Sequence, residues 1–224
     1  MKFLDRANTE KPACLDTKNY EIDEFTSLNP NQKKSIWRAL NSLQGSFCAY
    51  CERTISKRNR QIEHFYPKKK SPDGINMYKH MTFCWENLFG SCITHEHCGQ
   101  YKDSVGKLSP APYSPQKLIK PDEHNPTDFF VFSEKGVISL KDDLEEQACE
   151  RGEETLRVFK LNAPSLIDAR ASSISLFKPR FEFLLQQMSD ENISLEFFHT
   201  EVKKLKATIN QSAHRTAVNM ALFS

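Results

Sequence analysis

The chain has 224 residues, 38% of them hydrophobic and 27% charged, with a formal net charge of +2, a balance that excludes a disordered protein. No apolar run approaches the roughly 20 residues of a membrane span, MKFLDRANTEKPACLD lacks an apolar signal-peptide core, and the scarcity of Gly together with the absence of Walker or dinucleotide patterns excludes Gly-rich phosphate loops. The expected location is the cytoplasm, where an odd count of seven cysteines points to metal ligation instead of a disulfide framework.

In chain order, residues 1–28 read as irregular. Asn29-Pro30 supplies an N-cap and a first-turn proline for a helix through KKSIWRALNSL, with Ile36, Leu40 and Leu43 on one face, Trp37 beside them, and Gly45 as the stop. Residues 46–107 hold five of the seven Cys and four of the seven His and read as short strands, loops and one short helix, the look of a metal-organised module. SPAPYSP at 109–115 marks a boundary or an extended crossing. DFFVF and VISL flank the turn at 133–136 as a hairpin. From about Leu144 the pattern is helical. Leu144, Ala148, Leu156 and Phe159 mark one helix, and Pro164 opens another with a kink or break expected at Pro179. A third helix covers 196–210 and a short fourth 213–222. The expected fold is α+β, with an N-terminal helix and a mainly α-helical C-terminal half. Its expected parts are an arm and helix over 1–44, a metal-braced module over 45–107, a linker and hairpin over 108–140, and a helical scaffold or partner-binding region over 141–224.

Charge is uneven. Between positions 53 and 70 stand Arg53, Lys57, Arg58, Arg60, Lys68, Lys69 and Lys70 against one acid, Glu63. On charge alone this is either a solvated hairpin or a surface that faces phosphates.

Cys48-Ala-Tyr-Cys51 is a CxxC knuckle, and Cys92 and Cys98 follow about forty residues later. Two thiolates from a tight turn matched by a second pair suit a tetrahedral structural zinc. His95 lies between the second pair at a spacing that leaves a Cys3His set open. A redox dithiol would need a thioredoxin-like βαβ context, which the sequence lacks. Cys14, Cys84 and Cys149 read as small hydrophobes. Between the pairs comes Ile62-Glu63-His64-Phe65-Tyr66-Pro67, where an acid and an imidazole stand side by side in a basic strip. A carboxylate can hold a divalent cation while an adjacent imidazole takes a proton from water. In a regular strand the two would face opposite sides, so a shared site requires an irregular strand or action at its end, for which Pro67 is a terminator.

The order CxxC, IEHFxPK, WxNLxxSC, CxxxK resembles the zinc-braced HNH endonucleases with a ββα-metal core, and in its wording the PtuB-like nucleases of Septu and retron-associated anti-phage systems. The motifs cover residues 45–107. The resemblance implies metal-dependent hydrolysis of nucleic-acid phosphodiesters, on DNA by default, with RNA including tRNA also open. It implies Cys48, Cys51, Cys92 and Cys98 as structural Zn²⁺ ligands, Glu63 as a ligand of a catalytic Mg²⁺ or Mn²⁺, and His64 as the general base. Asn87 would be the brace between the ββα elements and Lys102 a phosphate contact. Arg58, Arg60, Lys68 and Lys69 would position phosphates without reading bases. Where the family places a third metal ligand, an Asn, this chain has Gly99, and His97, Gln100, Asp103 or water are the stand-ins. The implied partner is a PtuA-like ABC-type ATPase, and through it a retron reverse transcriptase with its noncoding RNA or DNA. The rival reading is a catalytically silent zinc module that binds nucleic acid or a partner protein.

Overall fold

The computed structural model describes residues 1–68, 76–104 and 112–223. Lys69, Lys70, the boundary expected at 107 and the first residues of the 109–115 segment lie outside them. The described chain is α+β, with six α-helices and two small antiparallel sheets.

Helix α1 (Pro30–Gln44) begins on a reciprocal cap. The Gln32 N–H donates to the Asn29 side chain, and the Asn29 N–H donates to the Gln32 side chain, so two otherwise orphaned donors are satisfied. Gly45 ends the helix at φ +69°, a left-handed conformation open to glycine. Gln44 is buried and pairs with the backbone of Gly90. It accepts from Gly90 N at 2.8 Å and donates to Gly90 O at 2.8 Å. A Cβ at position 90 would stand 2.7 Å from Gln44 Nε2, so this glycine allows α1 to seat on the strand that carries it.

That strand is β2 (Leu88–Cys92), antiparallel to β1 (Arg60–His64) with Glu63 opposite Phe89 and His64 opposite Leu88. Helix α2 (Cys98–Lys102) follows and packs on β2, giving the chain order strand, strand, short helix. A second hairpin, β3 (Phe130–Phe132) and β4 (Ile138–Leu140), leads to α3 (Glu146–Val158), α4 (Pro164–Ser189), α5 (Leu195–Ile209) and α6 (Arg215–Phe223). The break allowed for at Pro179 does not occur, and α4 runs through it. Proline costs a helix one hydrogen bond and a clash. Here Ile174 and Leu184, on either side of it, are buried in a cluster with Leu205, Ile209 and Val218 of α5 and α6, and that packing holds the segment helical.

The largest core cluster is built around the cysteines. It joins Leu4, Tyr50, Phe65 and Phe89 to Phe130 and Phe159, so residues from all four expected segments share one interior. Tyr50 of the CxxC knuckle stacks on Phe159 with ring centroids 4.2 Å apart. A second cluster, with Phe25, Ile36, Leu40 and Trp85, supports the opposite face of the hairpin through α1. Among the described residues no helix is long and apolar enough to cross a membrane.

Candidate active site and metal cage

The knuckle folds because its backbone closes on itself. Glu52 N donates to Cys48 O at 3.0 Å and Cys48 N to Arg53 O at 2.9 Å, with Glu52 turned to φ +61°. Cys92 comes from the end of β2 and Cys98 from the start of α2. The four sulfurs lie within 4.8 Å of one another, and all four residues are buried and free of disulfides. Thiolates about 2.3 Å from a tetrahedral zinc stand roughly 3.8 Å apart, and the Cys51 and Cys92 sulfurs are 3.9 Å apart. The donor set therefore fits zinc. Burial, then its neighbouring cysteines, pushes the Cys98 thiol well above its ordinary range, while against burial hydrogen bonds from the other three cysteines hold Cys48 below its own. His95 is exposed and outside the group, which leaves Cys98 as the fourth member. His97 is fully buried, its Nδ1 3.1 Å from the Cys98 sulfur and its Nε2 without a hydrogen-bond partner. It lines the cage. Burial lowers its pKa to about 4, which keeps the ring neutral.

Glu63 and His64 point to opposite faces of β1, as a regular strand demands, and both are buried. Glu63 faces α2. One oxygen lies 2.9 Å from Lys102 Nζ. The carboxylate itself rests on Gly99, where an added Cβ would stand 2.5 Å from Glu63 Cδ. Lys102 is fully buried. Its ammonium also donates to Asp103 Oδ1 at 2.6 Å and to the His64 carbonyl at 3.1 Å. Burial works against the charge on Lys102, but Glu63 and then Asp103 outweigh it and hold the amine protonated. Burial raises the Glu63 carboxyl to about 7, Asp103 adds to the rise, and Lys102 opposes it.

The divalent ion that the resemblance implies does not fit this arrangement. The Lys102 ammonium fills the oxygen nest, and Gly99 offers neither a ligand nor room for one. Of the named stand-ins, His97 lies on the cage, Asp103 on the ammonium, and Gln100 Oε1 is buried without a hydrogen-bond partner. Among the described residues the four cysteines are the one group of three or more His, Cys, Asp or Glu side chains close enough to share an ion. Lys102, expected at a phosphate, is thus turned inward.

His64 lies on the other face. Its ring meets Phe25 edge-on at 4.5 Å, and Nε2 is 3.0 Å from the Thr82 carbonyl. A carbonyl only accepts, so Nε2 carries the proton and Nδ1 the lone pair. Burial, then the Lys68 charge, lowers the pKa to about 3, against the pull of Thr82 O. Asn87, also fully buried, accepts from Tyr66 N at 2.7 Å and donates to Tyr66 O at 3.1 Å and Met81 O at 3.0 Å. It ties the exit of β1 to the segment that supplies Thr82.

Of the expected phosphate-facing cations, Lys68 stands with this pair. Its ammonium lies 4.8 Å from the Phe25 ring centroid, and its charge is felt by both His64 and Glu63. Arg60 lies over Trp37 at 3.9 Å and Arg58 is exposed. Arg60 starts β1, roughly 13 Å from His64 along the strand, and Arg58 lies in the turn before it.

Three residues of the site carry no sequence signal. Thr82 contributes only its carbonyl. Tyr113 feels the Lys102 charge from beyond the motif segment. Glu52, 2% exposed, accepts from Thr216 N at 3.1 Å and Thr216 Oγ1 at 2.9 Å, and with Arg215 Nε at 3.4 Å it clamps α6 onto the knuckle. His214 Nδ1 adds a bond to the Cys51 carbonyl at 2.8 Å.

No protein-family model matches the chain. It is 28% identical over 153 residues to the Septu protein PtuB of Bacillus mycoides (strain KBAB4), a stretch covering 62% of this chain and 50% of that protein. It is 32% identical over 105 residues to the "Retron Vc95 putative HNH endonuclease" of Vibrio cholerae serotype O1 biovar El Tor, covering 45% of this chain and 47% of that protein. The chain spans about half the length of the curated relatives it matches. The resemblance read from the motifs is thus borne out by two relatives bearing those names.

Proposed function

We propose that the chain is an HNH-type endonuclease that hydrolyses nucleic-acid phosphodiesters, with residues 45–107 as its nuclease module. The observation that carries this reading is His64. Its tautomer is fixed by Thr82, its Nδ1 lone pair is available at neutral pH, and it closes a strand–strand–helix unit braced by a four-cysteine cage. In this reading His64 Nδ1 takes the proton of an attacking water while Lys68 steadies the phosphate charge beside it. Asn87 keeps Thr82 and the strand exit in place, so that the imidazole does not turn. Zinc in the cage supplies rigidity and takes no part in proton transfer. No step is assigned to a divalent ion, because the residues around Glu63 do not accommodate one.

The two relatives' names support a role in anti-phage defence in the cytoplasm, with a PtuA-like ABC-type ATPase as the partner and a retron reverse transcriptase reached through it. DNA is the default substrate and RNA, tRNA included, the second. The test is cleavage of plasmid, single-stranded DNA and total RNA by the zinc-loaded chain, alone and with the ATPase, against His64→Ala. Cleavage lost with His64 supports the reading, and a fully active His64→Ala protein sinks it. The silent zinc module is favoured by one observation, the inward-turned Lys102, and gains if every substrate stays intact in all arms.

A further inference from the structure

Lys102 is a long cationic side chain that is fully buried, which proteins tolerate only when the charge is matched. It is matched by oxygen alone. Two carboxylates, Glu63 and Asp103, and the His64 carbonyl surround the ammonium at 2.6–3.1 Å, the same hard-oxygen set that divalent cations take. The nest has two acids against one base. Its placement is built into the scaffold: Lys102 follows Cys98 by four positions on α2, so the residue that anchors the helix to the cage also aims the ammonium into the nest. Gly99, between them, leaves the space that the Glu63 carboxylate fills.

We propose that the Lys102 ammonium is the resident cation of the Glu63–Asp103 nest, occupying the position of a divalent ion, so that the chain binds no divalent cation there. Substituting the ammonium by a neutral side chain converts the nest into a divalent-cation site. The inference goes beyond the nuclease reading and stands or falls without it.

The test is a titration of the full, zinc-loaded chain with Mn²⁺, the free ion followed by electron paramagnetic resonance. The wild-type chain is expected to show no Mn²⁺ uptake that Glu63→Gln removes. Lys102→Met, which keeps the stem and drops the charge, is expected to take up one Mn²⁺ per chain about tenfold or more tightly than wild type, and adding Asp103→Asn is expected to abolish that uptake. Lys102→Arg keeps a cation and is expected to stay without uptake. Zinc content and thermal melts establish that each variant is folded, and Lys102→Gln replaces Lys102→Met if the latter is not. Stoichiometric Mn²⁺ on the wild-type chain that disappears in Glu63→Gln overturns the proposal. So does a folded Lys102→Met or Lys102→Gln chain that binds Mn²⁺ no better than wild type. No nucleic acid is present, so failure here leaves the His64 chemistry standing, and loss of that chemistry leaves this result standing.

Discussion

The cysteine cage and the Glu63 nest lie at the two ends of one short helix and solve the same problem differently. Each gathers groups that bear negative charge, the cage wholly buried and the nest with Asp103 reaching the surface. The cage collects four thiols and supplies no cation of its own, so its charge balance depends on a metal. The nest collects two carboxylates and closes on an ammonium tethered to the same helix. A site with a covalently attached cation keeps its charge state whatever the metal supply. A site without one folds only when the metal arrives.

Removing zinc breaks this contrast most severely. Chelation, or Cys92→Ser, is expected to cost on the order of 10 kcal/mol and to unfold the hairpin and α2. Near-UV circular dichroism and trypsin sensitivity report it, and an unchanged melt after complete zinc loss would contradict it. Next comes the His64 imidazole, which faces away from both regions. His64→Ala is expected to lower cleavage roughly 10²–10⁴-fold with the zinc content unchanged, as read by single-turnover rates beside metal analysis. Asn87→Ala strands the Tyr66 N–H and the Met81 carbonyl and is expected to cost about 3 kcal/mol in urea unfolding. Gly99→Asn sharpens the comparison. If the nest were a vacant metal site lacking a ligand, the new amide would raise Mn²⁺ uptake. The packing of Glu63 on Gly99 predicts instead a loss of about 1–3 kcal/mol and no uptake. The smallest effect is a control remote from both regions. Ser194 caps α5 through the Phe197 N–H, and Ser194→Ala is expected to cost about 1 kcal/mol with cage and nest untouched.

What was legible in the sequence was local or repeated. The Asn29-Pro30 start, the hairpin around Gly136 and the helices after Pro164 depend on neighbours within a few positions, and each has a compositional mark. The CxxC pair was legible because metal ligation constrains spacing. Pro179 misled because its local cost is real, and the packing of Ile174 and Leu184 that overrides it comes from helices distant in sequence. Lys102 was assigned to phosphate because a lysine is charged wherever it sits. Nothing in CxxxK says that Glu63 and Asp103 converge on its ammonium. Thr82, Gln44 and Glu52 escaped for the same reason, since each acts through a backbone group or a partner far along the chain.

The clamp between Glu52 and α6 sets an order in time. Thr216 reaches back across 164 positions to its acceptor, and at ordinary rates of synthesis that gap lasts roughly 10–30 s. During that interval a nascent chain already has every thiol of its cage. It still lacks Thr216 and Arg215, the α6 partners of the acid beside the second of them. The knuckle therefore has its thiols long before α6 supplies its share of the Glu52 hydrogen bonds. A chain stopped at Asn210 is expected to retain the four cysteines yet to show a protease-sensitive knuckle, because Glu52 then lacks its α6 donors.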